Sequence, residues 1–71
     1  LSQNDKVLEY MERHGSITQK EAYDAFGCFR LGARIAELKE RGIVIDRMLE
    51  EGVNRVGEKT RYARYWLKKG A

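Results

Sequence analysis

Apolar residues recur along this chain in two different rhythms, and the change of rhythm divides it. From Asn4 to about residue 42 the spacing is helical. Val7, Leu8 and Met11 fall on one side of a first segment, and Gly15 closes it as a left-handed residue after a helix would. A helix is therefore expected over about 4–14, capped by Asn4 or Asp5. "SIT", residues 16–18, is long enough only for a brief extended link that buries Ile17. Thr18 and Glu21 fit a capping box, worth about 1 kcal/mol at the cap. They open a second, short helix over about 19–26 that ends at Gly27. A third helix is expected over about 29–41, stopped by Gly42.

Beyond Gly42 the rhythm becomes that of strands. "IVIDRML" and "TRYARYWL" are rich in β-branched and aromatic residues and flank the polar, glycine-containing "EEGVNRVGEK". They predict a hairpin over about 43–67. On its second strand Ala63, Tyr65 and Leu67 share one face, and Tyr62, Arg64 and Trp66 the other. Tyr65 and Leu67 are expected inward, facing Ile43 and Ile45, with Arg64 left in water. The order of helix, link, helix, tight turn, helix and hairpin gives an α+β fold in one domain, 1–71. It is a winged helix-turn-helix, with a very short strand near 16–17 and the hairpin as its wing.

Composition changes this picture little. Of 71 residues, 42% are hydrophobic and 35% charged, which suits one small globular domain rather than disorder. No apolar run approaches the roughly 20 residues needed to span a bilayer, and no leader peptide is visible. One cysteine excludes an intrachain disulfide. A cytoplasmic protein without membrane contact is the expectation.

Charge changes it more. The net charge is only +3, but residues 54–71 hold six basic residues against Glu58 alone, a local net of +5. Residues 30–53 balance, and residues 1–29 are net −2. The basic end points to a polyanion, or else serves solubility alone.

The residues offer little for catalysis. One histidine and one cysteine provide neither a metal set nor a nucleophile–base pair, so no enzyme, no metal, no cofactor and no small-molecule ligand are expected. His14 suits the negative end of the first helix. Cys28 reads as a small packed residue at the start of helix three.

Helix three is more informative. At about 100° per residue, Ile35, Leu38 and Gly42 fall within roughly 40° of Leu31, which defines the buried stripe. Phe29, Ala33, Ala36, Glu37 and Glu40 lie opposite, and Arg30, Arg34 and Arg41 line one flank. In a helix-turn-helix the outward N-terminal residues of this helix enter the major groove, where arginine binds guanine or phosphate. Arg30, Ala33 and Arg34 are the expected contacts, although either arginine could instead pair with a surface acid such as Glu37. Gly32, costing about 1 kcal/mol against alanine inside a helix, calls for close approach of a phosphate or of helix two. The outward angle of Phe29 suits an exposed contact with DNA, but a helix starting one residue later would tuck it inward, and packing in the core or hinge is the expectation.

Thr18, Gln19 and Lys20 start helix two, where free N–H groups suit a phosphate. Arg55 and Lys59 in the wing loop, with Arg61 and Arg64 on the strand leaving it, form a second basic group, within reach of the backbone or a minor groove. Lys68 and Lys69 read as solvated.

The segments "GSIT", "LGARIAELKERG" and "YARYWL" together resemble the small winged helix-turn-helix proteins of phages and bacterial prophage regions. The resemblance spans nearly the whole chain. It implies that Arg30, Ala33 and Arg34 sit on a recognition helix, with "NRVGEK" at the wing tip. It also implies duplex DNA as partner and a regulatory role in transcription or recombination. The competing reading is a protein-interaction module without DNA binding, using Tyr62 and Trp66 as an aromatic anchor. A module this small buries limited surface on DNA. A protein partner or self-association therefore belongs to either reading.

Overall fold

Ser2, not Asn4 or Asp5, begins the first helix. The computed structural model describes residues 2–68, and in it α1 runs Gln3–His14. The Asp5 N–H donates to Ser2 Oγ at 3.2 Å and the Ser2 N–H donates to Asp5 Oδ2 at 3.3 Å. This reciprocal box satisfies two donors that a helix start leaves open. Hydrogen bonding to the Asp5 carboxylate, first by the Ser2 side chain and then by the Ser2 N–H, favours its charged form, so Asp5 titrates below its ordinary range. Asn4 falls inside the helix and is buried. Val7 and Met11 supply the buried stripe, with Leu8 half-buried beside them. Gly15 then turns the chain at φ +87°, a conformation that needs no Cβ, and its N–H donates to the Met11 carbonyl.

The link after it is a two-residue strand, β1 (Ile17–Thr18), which leads straight into α2 (Gln19–Phe26). Thr18 and Glu21 form the capping box of α2. Gly27, at φ +69°, ends the helix. Recognition of these stops required only glycine at the right offset from the last apolar position.

Helix three, α3, spans Leu31–Glu40 and so starts two residues later than its periodicity suggests. Phe29 and Arg30 lie in the turn before it, and Arg30 occupies the cap position without a side-chain cap bond. Leu31, Ile35 and Leu38 are all buried, and α1 packs across them. Among the described residues, no atom of helix two and no backbone outside α3 lies within 4 Å of a Cβ placed on Gly32. A methyl group placed there would lie 4.0 Å from the Tyr65 hydroxyl, an ordinary contact, so intramolecular packing does not explain this glycine.

Two nine-residue strands, β2 (Ile45–Val53) and β3 (Lys59–Leu67), make the hairpin. Their register is unbroken from Ile45 opposite Leu67 to Val53 opposite Lys59. β1 joins the far side of β3, with Ile17 opposite Tyr65, so the sheet order is β1-β3-β2 and every pairing is antiparallel. Ile17, Ile45 and the half-buried Tyr65 and Leu67 turn one face of this sheet onto the helices. The resulting α+β architecture is the winged one expected from the order of elements.

Candidate nucleic-acid interface

The end of the molecule that carries the α2–α3 turn is organised by one amide. Gln19 Nε2 donates to the Cys28 carbonyl, while Gln19 Oε1 accepts from the Leu31 N–H at 2.8 Å. One side chain thus closes the turn and caps α3, where Arg30 offers no cap of its own. Cys28 is buried beneath this clasp. Gln19 therefore acts first as a positioning residue; its amide is engaged inside the protein rather than offered outward, unlike the contact read from the sequence.

Because the clasp holds the backbone, the turn displays its side chains. Phe29 is 75% exposed rather than packed into the hinge, and its ring meets Tyr23 edge-on at 5.0 Å. On one side of Phe29 lies a groove between α2 and the hairpin. Thr18, Lys20 and Tyr23 form one bank, and Arg55, Thr60 and Tyr62 the other. On its other side Arg30 and Arg34 share a shallow hollow with Gln3 and Cys28. An exposed aromatic ridge thus separates two basic patches.

The nine sequence-predicted residues do not all converge. Thr18, Gln19, Lys20 and Arg55 border the groove. Arg30 and Arg34 border the hollow, and Ala33 is exposed on α3. Lys59 and Arg61 are exposed too, but they alternate with Thr60 and Tyr62 and so take the opposite face of the hairpin. Arg61 lies 3.9 Å from Glu51 there. Arg34 Nε lies 2.8 Å from Glu37 Oε1, although not aligned as a hydrogen bond. Among the described residues Lys20, Arg30 and Arg55 have no acidic partner. Lys68 is exposed, and Lys69 lies outside the described residues.

The wing tip is built by Asn54, a residue whose role the sequence reading missed. Its Oδ1 accepts from the N–H groups of Val56 (3.1 Å) and Glu58 (2.9 Å), the local bonding that favours asparagine in turns. Arg55 is left at the exposed tip.

Arg64 corrects the sequence reading most sharply. Expected in water, it is half-buried and holds three elements together. Its Nε donates to Glu50 at 2.8 Å, diagonally across the hairpin. One terminal nitrogen donates to Ser16 Oγ at 2.9 Å and lies 3.4 Å from Glu21. Glu21 is also the capping residue of α2, so the same carboxylate ties the wing strand to the helix beside the groove. The bond from Arg64 holds the Glu50 carboxyl below its ordinary range, and that contact raises Arg64 in turn.

A depressed carboxylate stabilises the fold above its unfolded pKa, and this contribution disappears as the pH falls through the lower folded value. Arg64→Met is therefore expected to bring Glu50 back to the ordinary glutamate range in a carboxyl NMR titration. The stability gap between the two proteins should be widest near neutrality and narrow on acidification below about pH 4.3. A Glu50 midpoint indifferent to the substitution would contradict the clasp.

Three helices, a tight α2–α3 turn and a hairpin folded beside them define the winged helix-turn-helix class. The chain belongs to the winged helix-turn-helix domain family, whose model matches residues 2–70. No curated protein and no solved structure matches it. Among the described residues no helix is long and apolar enough to cross a membrane. Nor do three His, Cys, Asp or Glu side chains there gather as a metal site would require.

Proposed function

We propose that the chain binds double-stranded DNA, with the turn and first residues of α3 in the major groove and the hairpin across the backbone. One observation carries this reading: Lys20, Arg30 and Arg55, without acidic partners among the described residues, flank Phe29 at one end of the molecule. Duplex phosphates supply the missing charge on both sides of the ridge. The partly exposed Arg34 guanidinium is the fourth contact, exchanging Glu37 for phosphate or base. The α2 start adds backbone N–H groups to the same end. Gly32, which no internal contact explains, lies in the first turn of α3, where a smooth surface admits the backbone.

The role that fits is a cytoplasmic regulator of transcription or recombination in a phage or bacterial setting, acting by binding rather than by catalysis. Support for that finer role comes from the resemblance of "GSIT", "LGARIAELKERG" and "YARYWL". The aromatic-anchor reading has less support, because Trp66 is half-buried and Tyr62 is only 37% exposed.

The deciding experiment is a titration of isotope-labelled protein with a mixed-sequence duplex at several salt concentrations. Four phosphate contacts predict a slope of about −3.6 in log affinity against log salt. Affinity then falls about 150-fold between 50 and 200 mM salt. Shifts should cluster at Lys20, Phe29, Arg30, Ala33, Arg34 and Arg55. A flat salt dependence would leave these cations as surface charge.

A further inference from the structure

The sheet has one open side. β3 is central and β1 covers its far edge, so the outer edge of β2 pairs with no strand among the described residues, although its Arg47 N–H donates to the Asp46 side chain at 2.8 Å. That edge is nine residues long, free of proline, and continuous in register. Most exposed edges of this length are shortened, bulged or masked, because unpaired N–H and C=O groups recruit other strands. Met48 and Leu49 stand exposed at its middle and Val53 at its end.

The backbone phase is set by two bonds at the ends of the hairpin. The Lys68 N–H donates to the Val44 carbonyl at 3.0 Å, and the Asn54 N–H donates to the Glu58 carbonyl at 2.9 Å. Even-numbered residues of β2 therefore face β3. Odd-numbered ones, from Ile45 to Val53, aim their amides and carbonyls outward.

We propose that this edge pairs antiparallel with the same edge of a second copy of the chain, about a two-fold axis through Leu49. In that register Leu49 meets Leu49, Arg47 meets Glu51 of the other copy, and Ile45 meets Val53. All five outward-facing residues find partners, giving roughly ten backbone hydrogen bonds across the junction, two of them formed as the Arg47 N–H of each copy exchanges Asp46 Oδ1 for the partner strand. Moving the axis by one residue destroys the match. Centred on Met48 it sets Asp46 against Glu50, and centred on Glu50 it sets that carboxylate against itself. Centring on Arg47 or Glu51 likewise opposes identical charges.

A second feature asks for the same partner. Arg47 and Lys39 of α3 line one hollow beside Tyr65, and that hollow has no acid in its lining. Glu51 of a second copy arrives on this face, opposite Arg47. Among the described residues of its own chain Glu51 has only the 3.9 Å contact with Arg61, between two well-exposed side chains, which leaves it available. The dimer joins the two sheets into one of six strands and places two α3 helices in one particle. It does not depend on the DNA reading.

Sedimentation equilibrium of the full chain, without DNA, tests it over a concentration series. Arg47 and Glu51 are exposed, so their replacement leaves the core untouched, which circular dichroism checks. Arg47→Glu alone and Glu51→Arg alone should each weaken the dimer about 30-fold, since each opposes like charges twice. The double swap, Arg47→Glu with Glu51→Arg, should restore it. A wild-type chain that stays monomeric at millimolar concentration overturns the proposal. A dimer that neither single reversal affects does so as well, because its interface then lies elsewhere.

Discussion

Replacing Lys20 and Arg55 together by glutamine is expected to lower affinity for duplex DNA about 30-fold near 0.15 M salt, with the fold unchanged. The two side chains stand on opposite banks of one groove, one at the start of α2 and one at the wing tip. Neither has an acidic partner among the described residues, so removing their charge strands no carboxylate. Each phosphate contact contributes about 0.9 to the salt slope, and two lost contacts should halve it from about −3.6 to about −1.8. At 0.15 M salt that corresponds to about 1 kcal/mol per contact, which sets the size of the effect. The slope is the decisive reading. A weaker complex with an unchanged slope would mean that the substitutions disturbed shape and that the phosphates lie elsewhere.

Truncating Leu38 to alanine is expected to have the largest effect on stability. Leu38 is 0% exposed, sits in the stripe that α3 presents to α1, and anchors the exit from the helix through the Ile43 N–H bonded to its carbonyl. Leucine-to-alanine changes at such sites cost roughly 2–5 kcal/mol, the spread reflecting how far the cavity can collapse. A domain of this length has about 4–10 kcal/mol in total. The substitution should therefore lower the melting temperature by roughly 10–30 °C, and in a marginal background unfold the chain. Calorimetry reads it directly. A fall below about 4 °C would show that the neighbouring side chains close over the gap, or that Leu38 does not hold the core.

These two predictions draw on different parts of the sequence. Leu38 was legible because a buried stripe must recur at the helical period whatever it packs against. The same holds for Gly15 and Gly27, whose left-handed conformations follow from glycine just past the last apolar position. The capping box of Thr18 and Glu21 is equally local, since both partners lie within one turn.

The candidate site was legible only in part. Lys20 and Arg55 were recognisable as basic residues near a helix start and a wing. That they border one groove depends on how the hairpin leans towards α2, which no local pattern encodes. Phe29 and Arg30 looked helical because no capping residue between Gly27 and the stripe of Leu31, Ile35 and Leu38 marks a later start. The clasp of Gln19 on Cys28 and Leu31 holds them outside the helix, and it spans nine and twelve residues. Arg64 shows the same limit over a longer range. Strand alternation alone put it on the face away from the core, which is correct. Only the folded chain brings Ser16 and Glu21, more than forty residues away, to that face.

The sequence by itself determined the elements, their order and the buried stripes, since periodicity, caps and turn residues act within a few residues of chain. The tertiary structure alone decided which cations meet across the groove, which arginine ties the wing to α2, and which strand edge stays open. Those outcomes depend on side chains far apart in sequence, whose approach is fixed by the packing of sheet against helices.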